Sequence, residues 1–148
     1  MKITVASVAV RGRSELFDGL AAEYIDRLQA YAETDAQVFK TSAALFEWAE
    51  RLKGRTSPAL VLLDERGKSF SSQALADWLR RQRDHGQQRL VFAVGPADGW
   101  PDQDRARADL LLSLGPMTLP HELAKVVISE QLYRAFTILA GHPYHHGD

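Results

Sequence analysis

Two short apolar runs, Ala59-Leu60-Val61-Leu62-Leu63 and Leu90-Val91-Phe92-Ala93-Val94, constrain this chain more than any other feature. Each is too short for a buried helix and shows no polar alternation. That is the pattern of a strand covered on both faces, which parallel sheets require and one-sided antiparallel sheets do not. The segments between the runs have helical period. Ile3–Val10 reads as a first strand. Ser14 is placed to cap a helix to about Ala32, with Leu16, Phe17, Leu20, Tyr24, Ile25 and Leu28 on one face. Ala36–Lys40 is a short strand and Ala43–Lys53 a helix with Leu45, Trp48 and Leu52 on its apolar side. Gly54–Pro58 makes a turn before the first apolar run. Asp64–Lys68 reads as a polar loop, and Ser71 or Ser72 caps a helix over Gln73–Arg83. A short helix over Gln103–Ala108 precedes a strand at Leu110–Leu114, and a long helix runs from Leu119 to Ala140, followed by the tail Gly141–Asp148. Strands alternating with helices predict an α/β fold with a parallel sheet, in a single domain over 1–148. Such sheets bind ligands beyond the carboxyl ends of their strands.

Composition narrows the function classes. The chain has 148 residues, no cysteine and a net charge of −1. A disulfide framework, a thiolate metal site and a cysteine nucleophile are therefore excluded. A near-neutral chain does not wrap nucleic acid by charge alone, although one local basic patch could serve an RNA enzyme. The apolar start after Lys2 is broken by Arg11 and Arg13 with no small-residue cleavage segment, so it reads as a strand and not an export signal. No apolar stretch has the length of a membrane span. The expected location is cytoplasmic.

Three strand ends carry unusual loops: Leu63-Asp64, Gly95–Gly99 and Leu114–Leu119. The last, Leu114-Gly115-Pro116-Met117-Thr118-Leu119, puts apolar side chains into a turn that opens a long helix. Free loop backbone, apolar faces and the positive helix start together suit a flat aromatic ligand such as adenine. Gly95-x-x-x-Gly99 is equally the mark of a tight turn; it lacks both the dinucleotide fingerprint and the Walker spacing. The tail, His142-Pro143-Tyr144-His145-His146-Gly147-Asp148, has three readings. It can be a frayed polar end, a metal site of His142, His145 and His146, or a catalytic and substrate-binding tail. No metal is assigned. Arg134 can meet an anion, or pair with Glu130 one turn earlier. His121 can be a local cap. The helix after Leu119 carries Val126, Val127, Ile128, Leu132, Phe136, Ile138 and Leu139 on more than one stripe, which predicts a second packed face and a homodimer.

Leu-Thr-Leu-Pro-His opening a helix, then Glu130-Gln131-Leu132-Tyr133-Arg134-Ala135, then His142-Pro143-Tyr144-His145, closely resembles the RlmH family. These are SPOUT-class methyltransferases acting on a pseudouridine of large-subunit ribosomal RNA. The Leu63–Lys68 segment and the Gly95–Gly99 loop are similar to that family too, and the likeness spans the chain. Three departures stand out. Pro96 replaces a second loop glycine and removes an N–H. Lys125 replaces an arginine and lacks its fork. His146 stands where the family commonly has a basic residue. The resemblance implies a SPOUT fold with a C-terminal trefoil knot and S-adenosylmethionine as cofactor, bound at Leu63, Gly95, Leu114, Gly115, Pro116, Met117, Thr118 and Leu119. It implies a homodimer whose site is completed by the partner. The reaction would be methylation of the N3 position of a pseudouridine in 23S ribosomal RNA, on the assembled ribosome. His145 is the candidate base, with Tyr144 and His146 positioning the RNA and Arg134 steadying an anion. A non-catalytic ribosome-binding dimer and a small metal enzyme are the alternatives.

Overall fold

The computed structural model describes every residue except 9–13, 53, 55, 56 and 148. The expected strand end at Val10, the helix end at Lys53, Arg11 and Arg13 lie outside the described residues. The elements are β1 (Lys2–Val8), α1 (Glu15–Leu28), β2 (Glu33–Phe39), α2 (Ser42–Arg51), β3 (Ala59–Ser69), α3 (Ser72–Asp84), β4 (Arg89–Val94), α4 (Asp102–Arg105), β5 (Leu110–Ser113) and α5 (His121–Ala140). The strands form one sheet in the order β2-β1-β4-β3-β5. Every pairing is parallel.

The apolar runs sit where their composition demands. Val5, Phe92 and Val61 are in register across β1, β4 and β3 and point into a core shared with Ile25, Leu28, Leu75, Leu79, Ile128 and Leu132 of α1, α3 and α5. Their neighbours Ala6, Ala93 and Leu62 point to the other face, against Leu45 and Phe46 of α2 and Trp100. Period-two alternation thus fills two apolar layers from one continuous run. β2 is one of the two edge strands and is the more exposed, with Thr34 its buried residue.

Local chemistry sets the helix ends. Thr41 caps α2, its hydroxyl accepting from the Ala44 N–H at 3.1 Å. Ser71 does the same for α3 from Ala74 at 3.0 Å. Ser14 holds the cap position of α1 but its side chain makes no cap bond; its backbone N–H donates to Glu122 Oε1 of α5 at 2.8 Å. α5 stops at Gly141, whose φ of +71° suits glycine, and the His142 N–H turns back to the Thr137 carbonyl at 2.9 Å.

Three expectations are corrected. The Asp64–Lys68 loop belongs to β3, which runs on to Ser69: Leu63 pairs with Leu112, and after an irregularity Lys68 pairs with Leu112 and Ser69 with Ser113. The polar composition misled because this stretch lies beyond the two-faced core. The helix expected over Gln103–Ala108 is the single turn Asp102–Arg105. Of the surplus apolar positions of α5, Ile128, Leu132, Phe136, Ile138 and Leu139 have partners within the chain, where α5 packs on α1 and α3.

Gly67 lies at the β3 irregularity. A Cβ there would fall 2.5 Å from both the carbonyl carbon and oxygen of Leu111. Only a residue without a side chain lets β3 approach β5 so closely at this irregularity. Gly67→Ala should therefore lower unfolding stability by about 1–3 kcal/mol, the usual cost of overpacking. Gly19→Ala, in α1 with open space around the added methyl, should instead raise it by about 0.5–1 kcal/mol. Urea unfolding of the two variants checks both.

Candidate functional site

The carboxyl ends of β3, β4 and β5 converge on one cavity of about 1020 Å³. Leu63 closes one side, Gly95 to Asp102 another, and the β5–α5 loop a third, with Leu114, Gly115, Met117, Thr118 and Leu119 all lining it. Pro116 is in the same loop but does not line the cavity. Arg66, Trp100, His121 and Ala124 line it as well and were not singled out for it from sequence.

The walls are tied together by specific bonds. The Trp100 Nε1–H donates to the Leu63 carbonyl at 3.0 Å, and the indole is almost fully buried. Gly95 is small for the sake of this ring. A Cβ on Gly95 would sit 2.6 Å from Trp100 Cε2 and 2.7 Å from Nε1. The tight-turn role falls to Gly99, with φ of +82° and its N–H on the Pro96 carbonyl at 2.8 Å. Both readings of the Gly95–Gly99 loop are thus present, on different glycines.

Asp64 anchors the rim. Its side chain is 5% exposed and accepts from Arg105 Nε at 2.8 Å, from the Arg66 backbone N–H at 2.9 Å and from Arg66 Nε at 3.2 Å. Burial alone would push this carboxyl up. The hydrogen bonds and positive charge of Arg66, with Arg105, outweigh burial and hold it below the ordinary aspartate value. Arg66 in turn reaches the Trp100 carbonyl at 3.4 Å. Across the mouth, the Thr118 hydroxyl donates to Glu65 at 3.2 Å.

The β5–α5 loop closes on itself. The Gly115 N–H donates to Ser113 Oγ at 3.1 Å, and that hydroxyl donates to the Gly115 carbonyl at 3.0 Å. Gly115 has φ of +127°, a region that favours glycine. Among the described residues no backbone–backbone hydrogen bond uses the N–H groups of Met117, Thr118 or Leu119. α5 then opens at Pro120 with no side-chain cap. Its first N–H groups have no intrahelical acceptor. Open backbone beside Leu63, Leu114 and Leu119 is the donor set that an adenosine needs: edge hydrogen bonds with apolar contact on the faces.

His121 is half-buried. Burial lowers its basicity below the usual histidine value, as does Lys125, while Glu122 and the Val8 carbonyl oppose this. Its Nε2 is buried and has no hydrogen-bond partner.

The remaining residues assemble elsewhere. Arg134 pairs with Glu130 Oε1 through Nε at 2.9 Å and Nη2 at 2.7 Å. Tyr144 donates its hydroxyl to the same oxygen at 3.0 Å, lies under the Arg134 guanidinium at 4.8 Å and packs edge-on against Tyr133 at 4.7 Å. Burial first, and then the Glu130 carboxylate, push the Tyr144 phenol up to about 12. Arg134 Nη1 approaches His145 Nδ1 at 3.1 Å, and His145 Nε2 is buried without a partner. The tail is therefore folded back on α5 and is not frayed; the carboxylate and guanidinium it meets were legible, but their capture of Tyr144 was not. His146 is exposed. Among the described residues no group of three His, Cys, Asp or Glu is placed to hold a metal ion. This tail cluster does not line the cavity. His121 lies thirteen positions before Arg134 on α5, or about 20 Å along the helix.

A family model described as Predicted SPOUT methyltransferase matches residues 1–145. The chain belongs to the SPOUT methyltransferase family. Its fold is similar to that of a solved structure. That structure, of a probable methylase family protein from Haemophilus influenzae Rd KW20, superposes with a TM-score of 0.57 at 10% identity, over 99% of this chain and 70% of that one. Closer in sequence is the Ribosomal RNA large subunit methyltransferase H of Koribacter versatilis, 47% identical over 99% of each chain. The protein of the same name from Gloeobacter violaceus is 44% identical, over 99% of this chain and 100% of that one.

Two outcomes follow for this SPOUT cavity. Gly95→Leu should force Trp100 from its slot, seen as a red-shifted and more quenchable tryptophan emission together with a lowered melting temperature. Asp64 should give a pH signature. Because its folded value is depressed, its contribution to stability is complete above the unfolded value near 4 and is lost as pH falls through the folded value. Asp64→Asn should cost about 1–3 kcal/mol at neutral pH. It should also flatten the fall in stability below about pH 4, measured by urea unfolding across pH.

Proposed function

We propose that this protein is an S-adenosylmethionine-dependent methyltransferase of large-subunit ribosomal RNA. We further propose that it methylates N3 of a pseudouridine in 23S RNA on the assembled ribosome. What carries the reading is one coincidence. The open-backbone cavity lies in a chain 44–47% identical, end to end, to proteins named Ribosomal RNA large subunit methyltransferase H. The small net charge of −1 suits a docking surface supplied largely by the ribosome.

The bound cofactor supplies an electrophilic methyl group, needing no metal. Leu63, Leu114 and Leu119 are placed to hold the adenosine faces, with the loop N–H groups of Met117–Leu119 at its edge and Gly95 leaving Trp100 room to wall the cavity. Gly115 and Thr118 fix the loop, and Pro116 stiffens it. The target nitrogen lies between two carbonyls and must lose its proton as it attacks, so the site needs orientation and a proton acceptor. Tyr144, His145 and His146 present the RNA, and Arg134 steadies the developing or phosphate anion. As Arg134 and Tyr144 stand, Glu130 keeps them preorganised.

The tail cluster's place outside the cavity lining is the reason we infer a homodimer in which one protomer's tail completes its partner's site. Leu16 and Leu20 of α1 are 73% and 43% exposed and offer apolar surface for such a contact. A C-terminal trefoil knot belongs to the same proposal. Among the described residues no helix is long and apolar enough to cross a membrane, which suits a cytoplasmic enzyme.

The deciding experiment maps ribosomal RNA modifications by mass in cells with and without the protein. A single missing methyl on a 23S pseudouridine is the expected result; an unchanged map ends this reading. Removing residues 143–148 should leave calorimetric cofactor binding within about twofold and cut methylation by about a hundredfold or more. Because Tyr144 packs on Tyr133 and Glu130, the same truncation should lower the melting temperature by a few degrees, about 1–2 kcal/mol. Light scattering should give twice the chain mass at micromolar concentration.

A further inference from the structure

We propose that Arg66 of β3 receives the carboxylate at the methionine end of the cofactor, through the open edge of its guanidinium. This rests on the methyltransferase reading above and extends the site beyond the adenosine pocket.

The guanidinium is held in place but not used up. It has five N–H donors in a planar fork. Its Nε donates to Asp64 Oδ1 at 3.2 Å and its Nη2 to Asp64 Oδ2 at 3.2 Å, a two-point grip by one carboxylate. Nη2 also reaches the Trp100 carbonyl at 3.4 Å. The two donors of Nη1 remain. The Asp102 carboxylate stands 4.0 Å from that nitrogen, beyond hydrogen-bond length. The Asp102 side chain is 91% exposed and that of Arg66 is 54% exposed, so a ligand carboxylate can take the edge without displacing a buried partner. Asp64, in turn, is shared between Arg66 and Arg105. One carboxylate facing two guanidiniums leaves a positive charge over.

Position and charge both favour the cofactor as the occupant. Arg66 follows Leu63 by three positions in β3, at most about 11 Å along the backbone. That is within the span of a nucleoside carrying an amino-acid arm. Trp100 ties the two ends of this span together: its indole N–H holds the Leu63 carbonyl, and its own carbonyl receives Arg66. Among the described residues that line the cavity, Arg66 is the only arginine or lysine, whereas Asp64, Glu65, Asp98 and Asp102 bring carboxylates. His121, its basicity lowered by burial, adds no cation at neutral pH. The cofactor carries one carboxylate, one ammonium and one sulfonium, so a lone cation among several acids matches its charges. RNA phosphates match them poorly, because the same acids repel a polyanion. The planar fork also fits a carboxylate better than an ammonium would.

Calorimetry with S-adenosylmethionine and with its decarboxylated analogue, which keeps the ammonium and the sulfonium, isolates this contact. Wild type should bind the parent at least about tenfold more tightly than the analogue, the scale of one charged hydrogen bond. In Arg66→Gln that ratio should fall to within about twofold of unity while affinity for the analogue is retained. Arg66→Lys, which keeps the charge and loses the fork, should lower the ratio by about threefold and decides the matter should Arg66→Gln fail to fold. Both ligands are measured on each variant, so a merely structural role for Arg66 lowers the two affinities together and leaves the ratio as in wild type. An unchanged ratio in either folded variant overturns the proposal, as does a wild type that binds both ligands equally. Retained affinity for both ligands with loss of ribosome binding overturns it too, making Arg66 a phosphate contact. A wild type that binds neither ligand ends the methyltransferase reading itself, whereas binding with an unchanged ratio ends only the role given to Arg66.

Discussion

The close approach of Gly67 to the backbone of Leu111 is the contact on which the rest of this architecture turns. β3 does not stop at the sheet edge of the cavity. It continues past Leu63, supplies Asp64, Glu65 and Arg66 to the cavity wall, and comes back into register with β5 at Lys68 and Ser69. With a side chain at Gly67 that return would be blocked, and the wall would have nothing to hold its far end. Parallel pairing on a doubly covered sheet then does the remainder, because it brings the carboxyl ends of three neighbouring strands to one side of the molecule.

The cavity and the tail cluster are held by different physics. Around the cavity, a buried carboxylate, two arginines and an indole N–H fix the loops. At the tail, one carboxylate, Glu130, receives both Arg134 and Tyr144, and an aromatic edge contact with Tyr133 completes the seat. Both arrangements spend a buried acid on geometry. Neither leaves that acid free to act as a base.

Much of this was legible beforehand. The apolar runs at 59–63 and 90–94 gave the two-faced strands, and the caps at Thr41 and Ser71 are sites where the side-chain chemistry is local. The loops Leu63, Gly95 and Leu114–Leu119 were expected at one place, and all but Pro116 line a single cavity. The misreadings were of segments whose fate depends on remote partners. Asp64–Lys68 is polar because it leaves the core, yet it is strand because β5 is there to pair with it. The tail is polar and short, yet it is seated because Glu130 and Tyr133 lie about two to three turns before the end of α5, where the tail folds back to meet them.

The amino-acid sequence alone therefore determined the α/β class, the parallel sheet, the order of elements and which loops meet at the strand ends. Those properties follow from hydrophobic period, caps and turn residues, all of which act within a few positions of the chain. Tertiary structure alone decided which glycine makes room for Trp100, which nitrogen of His145 faces Arg134, and how far the tail lies from the cavity. Those are properties of how side chains pack against one another, from Gly95 against Trp100 to Trp100 against the Leu63 carbonyl. A sequence pattern can name such residues, but only the packed chain sets the few tenths of an ångström that separate a hydrogen bond from a clash.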